Sequence, residues 1–259
     1  MRYLFICKLI GICSITSCFA QPTAFRWREE LTDKYIGINV STSRYNGDLS
    51  ERYNFSHLEL GWAIEGHARY RFKEQWCVSG QVGAYHIRAD QQYTRNKANY
   101  LSFASTNFVA TVGLQWDVRD IDYNQLNIPY VLAGAGITNL APTTVLKGIT
   151  YSLPAFKTEG VAYARWVGQI HYGLGMPVTL TPATQLRIEG RYTHVFSDYL
   201  DDVSAQYVDK ATASIIEQSL ADRRIAEGLP SNSVGATRGN GSKNDGYFLF
   251  TLQLIGKFR

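Results

Sequence analysis

The sequence predicts an all-β protein: an eight-stranded antiparallel transmembrane up-and-down β-barrel with a short helix in its last extracellular loop. Three observations carry that prediction. Long segments alternate strictly between apolar and polar residues, eight such segments can be counted, and the links between them alternate short and long along the chain. Composition leans the same way, since 17 Tyr, 12 Phe and 22 Gly against only two Met favour strands over a helical bundle.

The clearest segment is 60–72. Leu60, Trp62, Ile64, Gly66, Ala68, Tyr70 and Phe72 occupy one parity, and Glu65, His67, Arg69 and Arg71 occupy the other. Segment 108–118 repeats the pattern with Phe108, Val112, Leu114 and Trp116 against Asn107, Thr111, Gln115 and Asp117. Leu186, Ile188 and Tyr192 oppose Arg187, Glu189 and Arg191, and Phe248, Phe250, Leu252, Leu254 and Phe258 oppose Thr251, Gln253 and Lys257. Weaker alternation marks 35–43, 76–87, 128–138 and 163–176.

Links 73–75, 119–127 and 177–183 are short, whereas 44–59, 89–100, 139–161 and 197–245 are long. With both termini in the periplasm, the short links become periplasmic turns and the long ones extracellular loops. Aromatic residues fall where two interfacial girdles belong: Tyr70, Phe72, Trp76, Trp116, Tyr130 and Phe258 near the turns, and Trp62, Trp166, Tyr192 and Phe248 near the loops. The competing architecture is a soluble lipocalin-like barrel or sandwich with the apolar face inward. A charged face pairs within a narrow lumen better than a Trp-rich face fills a dry core, and that favours the membrane barrel. The helix is expected over 209–227, with Asp209 as its cap and Ile215, Ile216, Leu220 and Ile225 on neighbouring turns.

Residues 1–20 combine Arg2, an apolar run from Tyr3 to Ile15 and a small residue at Ala20, as a secretory signal peptide does, leaving 21–259 as the barrel domain. Cys18 after Ile15-Thr16-Ser17 also permits a lipoprotein reading in which that cysteine is acylated. Cleavage at Ala20 leaves Cys77 alone, so an internal disulfide is excluded from the mature chain. Arg2 and Lys8 supply two of the formal +4 charges, and the remainder is too weak to suggest nucleic acid as a partner. The partner expected from the apolar parity is outer-membrane lipid.

Glu65, His67, Arg69, Arg71, Arg187, Glu189 and Arg191 resemble an acid-base cluster, but the spacings provide no nucleophile, base and orienter. They read as a polar network in the barrel lumen, where arginine and carboxylate satisfy one another. No catalytic residue, cofactor or small-molecule substrate is expected. His67, His86, His171 and His194 lie in separate segments and suggest no metal. Asp198, Asp201 and Asp202 do not follow a calcium-loop spacing and read as a solvated loop stem or a helix cap.

Three words in the sequence carry a resemblance. They are Ser43-Arg44-Tyr45-Asn46-Gly47-Asp48-Leu49 after the first strand, Tyr199-Leu200-Asp201-Asp202-Val203-Ser204 with Tyr207-Val208-Asp209, and Arg238-Gly239-Asn240 with Lys243-Asn244-Asp245 before the last strand. In them the chain resembles the small outer-membrane barrel proteins of Bacteroidetes that include PorG of the type IX secretion system. The resemblance implies an accessory role beside that machinery, periplasmic ring proteins as partners and no enzyme activity. Turn 119–127 is the candidate contact, because Arg119, Asp120, Asp122 and Tyr123 form a mixed polar and aromatic surface, although a plain solvated turn reads the same. A stand-alone surface barrel whose long loops bind a ligand or a host surface remains the alternative function.

Overall fold

Successive side chains of a strand point to opposite faces, so a segment with one apolar and one charged parity must separate two environments. The computed structural model describes residues 32–51, 57–118, 128–179 and 184–258, and it meets this demand with a closed ring. Among the described residues there are ten strands: β1 (Lys34–Asn46), β2 (Leu60–Lys73), β3 (Trp76–Asp90), β4 (Ser102–Asp117), β5 (Tyr130–Asn139), β6 (Pro142–Leu146), β7 (Ile149–Ser152), β8 (Trp166–Thr179), β9 (Thr184–Val195) and β10 (Gly246–Phe258). Eight of them form the barrel, each antiparallel to its neighbours, and β1 pairs with β10 to close it. Closure leaves no unpaired edge, which a sheet in hydrocarbon requires.

The register sorts the parities as the alternation demands. Ile38 pairs with Leu254 and Val40 with Leu252 on the outside, while Asn39 pairs with Gln253 and Glu65 on the inside. Outward residues are exposed, Val112 by 66% and Leu174 by 68%, whereas Arg187 and Arg71 are each 2% exposed. Hydrophobic residues point away from the protein, and Arg69, Arg71, Arg187 and Arg191 point into it. This inversion of a soluble core identifies the outer face as the lipid face. No helix among the described residues is long and apolar enough to cross a membrane; the crossing elements are strands.

Several details differ from expectation. The third long link contains the β6–β7 hairpin, which continues the β5 edge by pairing Thr143 with Ala104 of β4. Its turn, Lys147-Gly148, holds both residues at positive φ (50° and 80°), the two-residue geometry that matches strand twist. Pro142 and the two threonines after it conceal this strand from an alternation count. The helix is shorter and broken: α1 (Ile215–Ala221) is capped by Ser214, and α2 (Arg223–Ala226) by Asp222. Ser214 and Glu217 form a reciprocal capping box that outcompetes Asp209, whose carboxylate instead accepts from the Ala211 N–H at 2.8 Å. Leu220 of α1 packs with Leu146 and Leu153, so the third and fourth loops share a small core of their own.

Tyr130 corrects the girdle assignment. It is 1% exposed and faces the lumen, and a Cβ at Gly175 would collide with its hydroxyl. Glycine is therefore required at position 175.

Candidate functional site

The lumen is built from the inward parity of the barrel strands. Arg191 on β9 places Nη2 at 2.7 Å from both carboxylate oxygens of Glu65 on β2, three strands away around the ring, and its Nη1 reaches Gln81 on the diametrically opposite β3. Arg71 pairs with Asp117 at 2.6 Å. Gln115 donates to Asp117 at 2.5 Å and accepts from Arg187 at 2.5 Å. The Arg187 guanidinium lies 3.9 Å over the Tyr130 ring, whose hydroxyl donates to Glu189 at 3.0 Å. Asn39 donates to Glu65 at 3.2 Å and accepts from Gln253 at 2.8 Å. Arg69 stacks 4.4 Å over Tyr35. The structure thus buries Glu65, His67, Arg69, Arg71, Arg187, Glu189 and Arg191 together in the lumen, where one chain of contacts runs from Arg71 through Asp117, Gln115, Arg187 and Tyr130 to Glu189 and another joins Gln81, Arg191, Glu65, Asn39 and Gln253. Charge-assisted bonds at these distances hold the walls together and occupy the space a passage would need.

At the loop end the lumen turns apolar and then polar again. Tyr45, Leu49, Leu101, Phe103, Leu140, Leu200, Val203 and Leu249 form a cluster inside the mouth, and above it the three signature words converge. The Tyr45 hydroxyl lies 2.6 Å from Asp201 and 2.8 Å from Asp245. One hydroxyl proton serves one acceptor, so the second contact needs a proton on a carboxyl. Burial pushes both carboxyls well above the usual range, and their mutual repulsion adds to the rise at Asp245. Asp245 also accepts from the Leu200 N–H at 3.1 Å, and Asp48 accepts from the Asn240 N–H at 2.5 Å.

Arg238 binds Glu159 at 2.9 Å and the Asp202 carbonyl at 2.5 Å. Asp202 in turn accepts from Thr158 at 2.5 Å and Tyr163 at 2.7 Å. Among the described residues neither oxygen of Asp198 has a partner of good geometry. Withdrawal from water, opposed by the nearby Ser204 hydroxyl but reinforced by Asp48 and Glu159, pushes this carboxyl up to about 7.

This cap corrects the reading of Asp198, Asp201 and Asp202 as a solvated stem, because Asp201 and Asp202 are each 1% exposed. The signal missed was the company they keep: Leu200 and Val203 flank Asp201 and Asp202 and draw them into the mouth. Among the described residues no group of three or more His, Cys, Asp or Glu is placed to hold a metal ion. Cys77 is buried, and its sulfur accepts from Arg69 Nη1 at 3.7 Å. Arg119, Asp120, Asp122 and Tyr123 lie outside the described residues, as do segment 1–20 and Cys18.

A ring of lipid-facing strands around a polar lumen defines an outer-membrane barrel. The model of the outer membrane protein beta-barrel domain family matches residues 10–215 of the 259, and the chain belongs to that family. Its place is the cell outer membrane. Solved structures of similar fold include Neisserial surface protein A, 12% identical over 87% of this chain and 97% of that one with a TM-score of 0.45. OprG from Pseudomonas aeruginosa is 10% identical over 90% and 99%, with a TM-score of 0.48. Ail of Yersinia pestis, solved with the heparin analogue sucrose octasulfate, is 15% identical over 88% and 100%, with a TM-score of 0.42. No curated protein sequence matches.

Proposed function

We propose that this protein is a sealed, non-enzymatic outer-membrane barrel that serves as a PorG-like accessory component of type IX protein secretion. The observation that carries the proposal is the convergence of the three signature words in one buried cap, through Tyr45, Asp201, Asp245, Asp48 and Arg238. Words scattered over two hundred residues of sequence have one structural task, which is to tie the longest loop into the barrel mouth. A barrel filled by Arg191–Glu65 and capped in this way suits docking and scaffolding rather than transport of a solute. In this account the long loops face the cell exterior, and the short turns, among them Arg119, Asp120, Asp122 and Tyr123, meet periplasmic ring proteins.

Deleting the gene tests this proposal. Cargo proteins should accumulate in the periplasm, and the tagged barrel should co-purify with the ring. Normal secretion in the deletion strain would reject the accessory role and favour a stand-alone surface barrel, a reading supported by the separate small core that the third and fourth loops share. Unchanged co-purification after Asp120→Ala with Tyr123→Ala would reject only the proposed contact.

A further inference from the structure

On the outer wall the change from apolar to polar is abrupt. Trp62 stacks on His86 at 5.9 Å, and His86 Nδ1 meets the Thr106 hydroxyl at 3.0 Å, so this row marks the upper edge of the hydrocarbon face. One pleat farther toward the loops, Arg88 pairs with Ala104 and Ala104 with Thr143, all on the outward parity. These three floor a cavity of about 490 Å³ that is roofed by the His57–Tyr93 stack, whose rings lie 4.5 Å apart.

Arg88 is exposed and, among the described residues, makes no hydrogen bond or ion pair at bonding distance, although the Glu59 carboxylate lies close enough to attract it. Two acids of the same lining accept hydrogen bonds from neutral amides. Glu59 accepts from the Asp90 N–H at 2.8 Å, and the two Asp90 oxygens accept from Gln92 at 2.9 and 3.0 Å. The guanidinium stands in a cavity of mixed lining, with Leu58, Phe103 and Val145 beside Ser102 and Thr143 and with the Glu59 and Asp90 carboxylates in the same wall; its fork under an aromatic roof suits a phosphate carried on a sugar.

The same wall carries a second hollow. Gly66, Ala68, Gly80 and Ala110, bordered by Val82 and Ile137, line an apolar groove of about 620 Å³. Its rows, Gly66-Val82-Ala110-Ile137 and Ala68-Gly80-Val112-Ala135, lie toward the turns from the Trp62 row. The upper of these rows is six residues below Arg88 along β3, or about 20 Å at 3.3 Å per residue. An acyl chain spans such an interval and a soluble ligand does not.

We propose that this wall is a specific lipid site, in which Arg88 and the His57–Tyr93 roof hold a phosphorylated sugar headgroup and the Gly66–Ala68–Gly80–Ala110 groove holds one of its acyl chains. The leaflet follows from the orientation proposed above: with long loops outside, the headgroup belongs to an outer-leaflet glycolipid. The binding itself is independent of any secretion role and is measured without it.

The full chain is reconstituted in phosphatidylcholine nanodiscs doped with a phosphorylated glucosamine glycolipid, and bound lipid is counted by native mass spectrometry. Arg88→Gln should lower retention about tenfold, the loss expected for a bidentate charged contact. Ala104→Trp, which fills the cavity from an outward position, should do the same, and Ala68→Leu should weaken long-chain more than short-chain glycolipids. Arg95→Gln, at an exposed arginine paired with Glu51, should change nothing. Equal retention by wild type, Arg88→Gln and Ala104→Trp overturns the proposal. Equal retention of phosphatidylglycerol overturns the sugar assignment, and displacement by glucosamine phosphate at matched concentration overturns the lipid source. These outcomes leave the secretion phenotype of the deletion strain untouched, so the two proposals fail separately.

Discussion

Replacing Glu65 with Gln removes one charge from the lumen and leaves its partner in place. Arg191 is 3% exposed and directs Nη2 at both Glu65 oxygens at 2.7 Å, so it has no water to turn to. Removing one member of a buried pair costs about 3 to 5 kcal/mol, because the other charge stays desolvated and unpaired. Gln keeps a single carbonyl oxygen, which at the Oε2 position still accepts from both Arg191 and Asn39, and this places Glu65→Gln near the lower end, about 3 kcal/mol. Adding Arg191→Met removes the stranded charge, and the double variant should recover roughly 2 kcal/mol of that loss. Urea unfolding in phospholipid vesicles, followed by tryptophan fluorescence, measures both. A loss below about 1 kcal/mol for the single variant, or a double variant that adds a second full loss, would refute the claim that this pair is buried and mutually dependent.

On the lipid face, Ile64→Arg should destabilise the barrel by about 2 to 4 kcal/mol in the same assay, whereas a substitution at the girdle residue Phe258 should cost far less. The cap should respond to pH. The carboxyls of Asp198, Asp201 and Asp245 are all raised in the folded state, so their stabilising contribution is complete below the ordinary carboxylate range and is lost as pH rises, for Asp198 through about 7. Limited proteolysis of the 197–245 loop should therefore be slower at pH 5 than at pH 8. Faster cleavage at pH 5 would reverse the sign of the argument. Tyr45→Phe removes the hydroxyl between Asp201 and Asp245 and should raise cleavage of that loop at pH 5 toward the pH 8 rate, while leaving the barrel folded. A tag inserted at Ser233 should be reached by antibody on intact cells, and one between Lys73 and Gln75 should not; labelling at the turn would invert the orientation.

The barrel was legible because strand alternation is a strong, periodic signal, and its sign is fixed by charge: Glu65, His67, Arg69 and Arg71 cannot face lipid. That Arg191 bridges to Glu65 three strands away was not legible, since periodicity gives the face but not the height at which strands register. Tyr130 was misplaced for a related reason. Its aromatic ring suits a girdle as well as a lumen, and only the room left by Gly175 and the Glu189 acceptor decide between them. The β6–β7 hairpin escaped because four- and five-residue strands are shorter than the period count needs. The cap escaped most completely. Its acids come from three separate words, and burial of Asp198, Asp201 and Asp245 depends on contacts between residues as much as two hundred positions apart, which local composition does not encode.

The central claim is that the lumen is closed by its own side chains. Conductance across a planar lipid bilayer tests it most directly, with insertion of the full chain verified by its protease-protected fragment. The account predicts no steady current above the bare bilayer for the wild type, because the Arg191–Glu65 and Arg71–Asp117 pairs bridge strands across the interior. A stable, ohmic open-channel current from the wild-type protein would contradict it.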